Sequence, residues 1–120
     1  MTTAEVALEL VELCKQGKAL EARALYSEDI VSVESRVLQH GSREIRGLEG
    51  VLGKAHWFMA NNEVHSQQVE GLLVAGAHFC VHFIYDTTFK PTGVRTINNE
   101  LGVYEVKDGK IIREEFFYEP

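Results

Sequence analysis

Residues 96–120 read TINNELGVYEVKDGKIIREEFFYEP, and this stretch decides the fold. Asp108-Gly109 is a dipeptide favoured in two-residue hairpin turns, where both central positions need positive φ. The flanking segments are rich in β-branched and aromatic residues. Residues 96–107 are therefore expected as one strand and residues 110–118 as its return. Side chains alternate between the two faces of a strand, so Asn98 and Glu100 share a face with Tyr104 and Val106. A glutamate on the face that should carry the core, or a pocket, is the feature that bears on function. An unpaired buried carboxylate costs several kcal/mol, so an inward Glu100 needs a charged partner or a raised pKa.

Upstream, VHSQQVEGLLVAG (64–76) and HFCVHFIYDTTFK (78–90) also alternate with period two. Ala75-Gly76 and the KPTG segment at 90–93 supply the turns between these strands. The N-terminal half reads differently. Thr2-Thr3-Ala4-Glu5 fits a capping box, and Val6, Leu10, Leu13 and Cys14 follow at helical spacing. Gly17 can end that helix. A second short helix is expected over 18–26, with Ala19, Ala22, Leu25 and Tyr26 inward. Residues 30–37 look like a strand, HGSREIRG (40–47) like a loop, and residues 48–62 like a helix with Leu48, Val51, Leu52, Ala55, Phe58 and Met59 on its apolar side. Helices first and an antiparallel meander last define an α+β domain. The helices should cover one face of a strongly curved sheet, whose open end makes a natural pocket.

The chain has 120 residues, of which 45% are hydrophobic and 25% charged, with a net charge of −6. This suits a single domain spanning 1–120. The acidic balance repels phosphate backbones and anionic bilayers, which sets aside nucleic acid and membrane as partners. No apolar run approaches the roughly 20 residues of a spanning helix. Cys14 and Cys80 are lone cysteines without CxxC spacing, and the start MTTAEVALEL lacks a basic region before its apolar residues. The expectation is reduced thiols and a cytoplasmic location. His40, His56, His65 and His78 show no HxH or HExxH spacing, so no metal is expected. No glycine-rich loop suits a phosphate, and no serine sits in a nucleophile elbow.

ALYSEDIVSVES (24–35), IRGLEGVLGKAHWFMANNEVHS (45–66) and VYEVKDGKIIREEFFYEP (103–120), in this order, resemble the SnoaL-like branch of the nuclear-transport-factor-2-like superfamily. The resemblance covers nearly the whole chain. It implies a cone-shaped barrel in which three helices of the N-terminal half pack on a curved, mostly antiparallel sheet. It also implies an apolar pocket in the cone and a homodimer through the outer sheet face. Functions in the superfamily range from isomerases, cyclases and dehydratases to plain binding or scaffold domains, so the site must decide.

Ketosteroid isomerase is the relative whose chemistry is best defined, with an Asp base opposite a Tyr and a protonated Asp that hold the enolate oxygen. The position of its base falls on Glu34. The position of its Tyr falls near Leu10 and that of its protonated Asp near Gly102. Two donors worth roughly 3–4 kcal/mol each are missing, which argues against ketosteroid isomerase activity as such.

The resemblance implies a pocket for a small apolar, carbonyl-bearing molecule, with cofactor-free isomerisation, cyclisation or dehydration if the protein is an enzyme. Glu34 or Glu100 would be the base. His82, Asp86 and Asn98 would polarise or position the substrate, and Tyr104, Trp57 and Phe58 would line the pocket. A turn centred near Thr92 or Gly93 puts even-numbered residues opposite even-numbered ones. Cys80, His82, Ile84 and Asp86 would then join Glu100, and a one-residue shift reverses this. On the last strand, Glu114 and the pair Arg113/Glu115 remain alternatives, because a bulge can exchange them. The competing reading is a non-catalytic ligand-binding, dimerisation or scaffold module whose inward acids are structural ion pairs.

Overall fold

A computed structural model describes residues 1–120. The Asp-Gly turn forms as expected: Asp108 has φ 52° and Gly109 φ 75°, and Lys107 pairs with Lys110 across it. It joins β5 (Val94–Lys107) to β6 (Lys110–Phe117). Before them run β3 (Asn62–Ala75) and β4 (His78–Phe89). The N-terminal half holds α1 (Thr3–Lys15), a 3-10 helix (Ala19–Leu25), β1 (Tyr26–Val33), β2 (Glu44–Arg46) and α2 (Leu48–Asn61).

The capping box at Thr2 is present in full. The Thr2 hydroxyl accepts from the Glu5 amide, and the Glu5 carboxylate accepts from the Thr2 amide. Two N-terminal elements differ from the sequence expectation. Tyr26 leaves the second helix and opens β1, because it pairs in parallel with Ile111 of β6. The strand thus starts and ends earlier than 30–37. The polar 40–47 segment also contributes a three-residue edge strand, with Ser32 opposite Ile45. In both places sheet pairing satisfies backbone groups that local composition assigned to helix or loop.

The six strands form one sheet in the order β2-β1-β6-β5-β4-β3, antiparallel except for β1 on β6. Its edges, β2 and β3, do not pair, so the sheet is curved but not closed into a barrel. This corrects the barrel that the resemblance implied. The helices lie across the concave side, where α1 touches β3, β4 and β5, and α2 spans from β2 and β1 to β3. Val6, Ala7, Leu10, Val11 and Cys14 of α1 join Phe79, Val81, Phe83, Tyr104, Val106 and Ile111 in one apolar core.

Two details of the strands set which side chains meet. The β4–β5 turn holds four residues, Lys90 to Gly93, so Phe89 pairs with Val94, Phe83 with Glu100 and Phe79 with Tyr104. Odd positions of β4 therefore stand beside even positions of β5. In β6 a bulge falls between the Arg113 and Ile111 pairings, which brings both Ile111 and Glu114 to the concave side.

Candidate active site

Strand alternation along β1 directs Ile30 and Ser32 inward, both fully buried, and carries Glu34 to the strand's end on the same side. The Glu34 amide donates to the Arg43 carbonyl at 2.9 Å, which holds the chain there. Across from it α2 presents Lys54. This lysine is three residues after Val51 and four before Phe58, so it sits within the apolar stripe of its helix. Lys54 Nζ donates to Glu34 Oε2 at 2.7 Å and to Ser32 Oγ at 2.5 Å. Its ammonium also lies 5.0 Å from the centre of the Phe116 ring.

The chain end closes the other side of Glu34. Ser35 Oγ donates to the Phe116 carbonyl at 2.7 Å and accepts from the Tyr118 amide at 3.2 Å. This places the Tyr118 hydroxyl to donate to Glu34 Oε1 at 2.7 Å. Both oxygens of Glu34 are thus engaged by strong donors. Beneath them Ser32 Oγ donates to Glu114 Oε2 at 2.7 Å. Lys54 Nζ stands 3.8 Å from the same oxygen.

Glu100 projects toward this group from β5 and makes no hydrogen bond or ion pair. Burial, reinforced by Glu34 and to a smaller extent by Glu114, pushes its carboxyl up to about 7, with Lys54 and Arg36 pulling the other way. Glu114 is also held above the ordinary carboxylate range by burial, opposed by Lys54 and by hydrogen bonding to Ser32 and Tyr26. Three carboxyl groups thus gather around one ammonium. Glu34 takes the ion pair, and Glu100 and Glu114 are left to favour their protons.

Aromatic rings border the cluster. Tyr85 stacks on Phe83 with ring centres 5.7 Å apart and meets the edge of Phe58 at 6.3 Å. Trp57 tilts against Phe89 at 6.3 Å and is 42% exposed. Tyr104 lies in the core, stacked on Phe79 at 4.6 Å, and its ring passes over Gly102. A Cβ at Gly102 would stand 2.8 Å from that ring, so the position requires glycine for packing.

Of the residues expected at the site, the structure brings together Glu34 and Glu100, with Phe58 beside Tyr85. Asn98 shares the concave face but sits further out, exposed, donating to Thr96. His82 and Asp86 are on the opposite face, which corrects the expected even-with-even register. The four-residue turn moved the pairing by one position, and in a strand that inverts every side chain. His82 meets Asn99 there at 3.1 Å, and Asp86 takes both oxygens to Arg95 at 2.8 and 2.9 Å. Lys54, Ser32 and Tyr118 escaped the sequence reading. A lysine on an apolar helical stripe was a legible signal, whereas Tyr118 depends on where the chain end docks. Two shallow depressions open elsewhere, one beside β2 lined by His40, Glu44 and Arg46 and one on the outer face of β5 and β6. Neither contains a carboxyl of the cluster.

The fold is shared with solved structures described as nuclear-transport-factor-2-like, cystatin-like and ketosteroid isomerase-like. The SnoaL-like domain family matches residues 1–118, and the chain belongs to that family. A provisionally named SnoaL-like polyketide cyclase from Mesorhizobium loti is 40% identical, covering 98% of this chain and 100% of its own, with a TM-score of 0.90. A nuclear-transport-factor-2-like protein from Burkholderia thailandensis is 16% identical over 99% of this chain and 92% of its own, with a TM-score of 0.86. A provisionally named isomerase from Bacillus subtilis is 17% identical over 100% of this chain and 91% of its own, with a TM-score of 0.81. No curated protein matches. No helix is long and apolar enough to cross a membrane.

Proposed function

We propose that the protein is a cofactor-independent acid/base enzyme acting on a small apolar molecule that carries a carbonyl group, with Glu100 as the group that moves the proton. The observation that carries this reading is the unpaired Glu100 carboxyl, held near pKa 7 beside an ion-paired glutamate. A catalytic group works best when its pKa lies near the operating pH. Glu100 meets that condition, and no hydrogen bond must be broken to use it. Glu34 is poorly suited to be the base, because Lys54 and Tyr118 already occupy both of its oxygens. Its role is electrostatic: it fixes Lys54 and raises Glu100. The reaction is a proton abstraction next to the carbonyl, giving an enolate and protonated Glu100, followed by return of that proton to another atom. Isomerisation, aldol-type cyclisation and dehydration all contain such a step. The polyketide-cyclase part of the Mesorhizobium loti relative's name supports this class, whereas the carbohydrate-phosphatase part of the same name does not.

The test is deuterium exchange next to the carbonyl in a panel of cyclic ketones, followed by NMR. Glu100→Gln should slow the protein-dependent exchange by about 10²–10⁴-fold while the fold is retained. Equal exchange in wild type and variant would sink the assignment.

The assembly we infer is a homodimer through the outer sheet face. Leu73, Ile97, Leu101 and Phe117 are exposed there, Leu73 at 76% and Ile97 at 68%. An apolar face of this kind calls for a covering partner, and a second copy presents a matching one. Light scattering should give twice the chain mass, and Leu101→Lys should give one chain mass. A monomeric wild type removes the dimer. Both cysteines are free, which suits a reducing compartment such as the cytoplasm.

A further inference from the structure

Glu114 is the carboxyl of the cluster that the proposed chemistry leaves unused, and it is 2% exposed. Its Oε2 accepts from Ser32, and its Oε1 has no hydrogen-bond partner of good geometry, although the Tyr26 hydroxyl lies alongside the group. Lys54 chooses between this carboxyl and Glu34. It stands 3.8 Å from Glu114 and 2.7 Å from Glu34. Attraction between charges grows as water is excluded, so a carboxylate at the more buried Glu114 would draw the ammonium inward. The lysine's shorter approach to Glu34, with the burial of Glu114, leaves Glu114 as the acid that favours its neutral form, with the Tyr26 hydroxyl donating toward it. Oε2 then remains a carbonyl-type acceptor. It commits the Ser32 hydroxyl proton and leaves the Ser32 lone pairs to receive a Lys54 N–H at 2.5 Å.

We propose that Glu114 is a positioning residue: as a neutral acid it orients Ser32, and Ser32 aims the Lys54 ammonium at Glu34, beside Glu100. The inference deepens the reading of Glu100 as the working acid/base and rests on it in one respect, since Glu100 reports where the ammonium stands. The other groups that face Glu114 are Tyr26 and Glu34 from the β1 side, Tyr85 on β4, Tyr104 and Glu100 on β5, and Cys14 on α1. Burial pushes the Cys14 thiol up to about 11 and raises the three tyrosines well above their usual value. Glu34, Glu100 and Lys54 are therefore the groups left to set the charge around Glu114 near neutral pH.

Carboxyl-carbon NMR titration of the glutamates tests this. In wild type the Glu114 carboxyl carbon should still show the shift of a protonated acid at a pH where an ordinary glutamate already shows that of a carboxylate. A carboxylate shift there overturns the proposal and needs no variant. Glu114→Gln presents a carbonyl to Ser32 and an N–H where the acid proton stood, so Glu100 should titrate as in wild type. Glu114→Leu and Ser32→Ala break the link and loosen Lys54. Each should raise the Glu100 midpoint, by about tenfold in proton affinity. If Glu114→Gln instead lowers the Glu100 midpoint, Glu114 was contributing charge rather than orientation, and the inference fails while the reading of Glu100 stands. If Glu100 titrates in the ordinary carboxylate range in wild type, the proposed catalytic reading fails, and the Glu114 resonance still decides its own state.

Discussion

Asp86 on β4 and Glu100 on the neighbouring β5 stand on opposite faces of the sheet. On the outer face Asp86 holds Arg95 through two hydrogen bonds, which lower its pKa. On the inner face Glu100 has no partner, and burial raises its carboxyl to about 7. One side pairs a half-buried carboxyl through both oxygens with an exposed arginine across a hairpin. The other withholds water and a direct ion pair, because the ammonium of the cluster is already bound to Glu34. Perturbed carboxyls of the second kind gather at working sites, while pairs of the first kind, with one partner exposed, contribute little to stability.

The comparison is broken most severely by removing the inner cation. Lys54→Met leaves Glu34 without its ammonium in a partly buried site. It should lower stability at neutral pH by about 3 kcal/mol, read from urea denaturation. The loss should shrink in acid, where the carboxyls take up protons. Unchanged stability at neutral pH would mean that the inner cluster behaves like the outer pair.

A smaller effect comes from pH alone. The folded pKa of Glu100, about 7, lies above its ordinary value of 4.5. Between these values the native state binds the proton more tightly than the unfolded chain. The contribution of Glu100 is complete below pH 4.5 and is lost as pH rises through about 7. It amounts to roughly 3 kcal/mol at most. Glu100→Gln should flatten that slope. Asp86 has the opposite sign: its folded pKa is lowered, so its contribution is present above 3.8 and is lost only as pH falls further. Stability measured across both windows should therefore separate the two faces.

The smallest effect belongs to the outer face. Asp86→Asn should lower the denaturation midpoint only slightly at physiological salt and leave ketone exchange untouched, because the Arg95 partner is exposed and screened. A large loss of exchange in this variant would bring Asp86 back as a site residue.

Much of the fold was legible in the sequence. Residues that prescribe their own geometry are read locally, and Thr2 with Glu5 and Asp108 with Gly109 are of this kind. The helix of α2 and the four long strands follow from period alone. Tyr26 was misread because its partner, Ile111, is remote in sequence. At the site, Glu100 was legible as an acid on a core face, and Glu34 from the position that the resemblance assigned to it. Lys54 could have been suspected from its place on an apolar stripe. His82 and Asp86 were assigned to the wrong face by a single residue of turn length.

The sequence by itself determined the helices and the long strands, their order, the family resemblance and the presence of an inward acid on β5. Only the tertiary structure decided which acids meet. The four-residue turn at Lys90–Gly93 and the bulge in β6 choose the faces, and with a period of two a single residue exchanges them. The contacts of Glu34 with Lys54 and Tyr118, and of Ser32 with Glu114, join residues remote in the chain. They bind a buried cluster whose charge states depend on how fully water is excluded, and no local pattern records that.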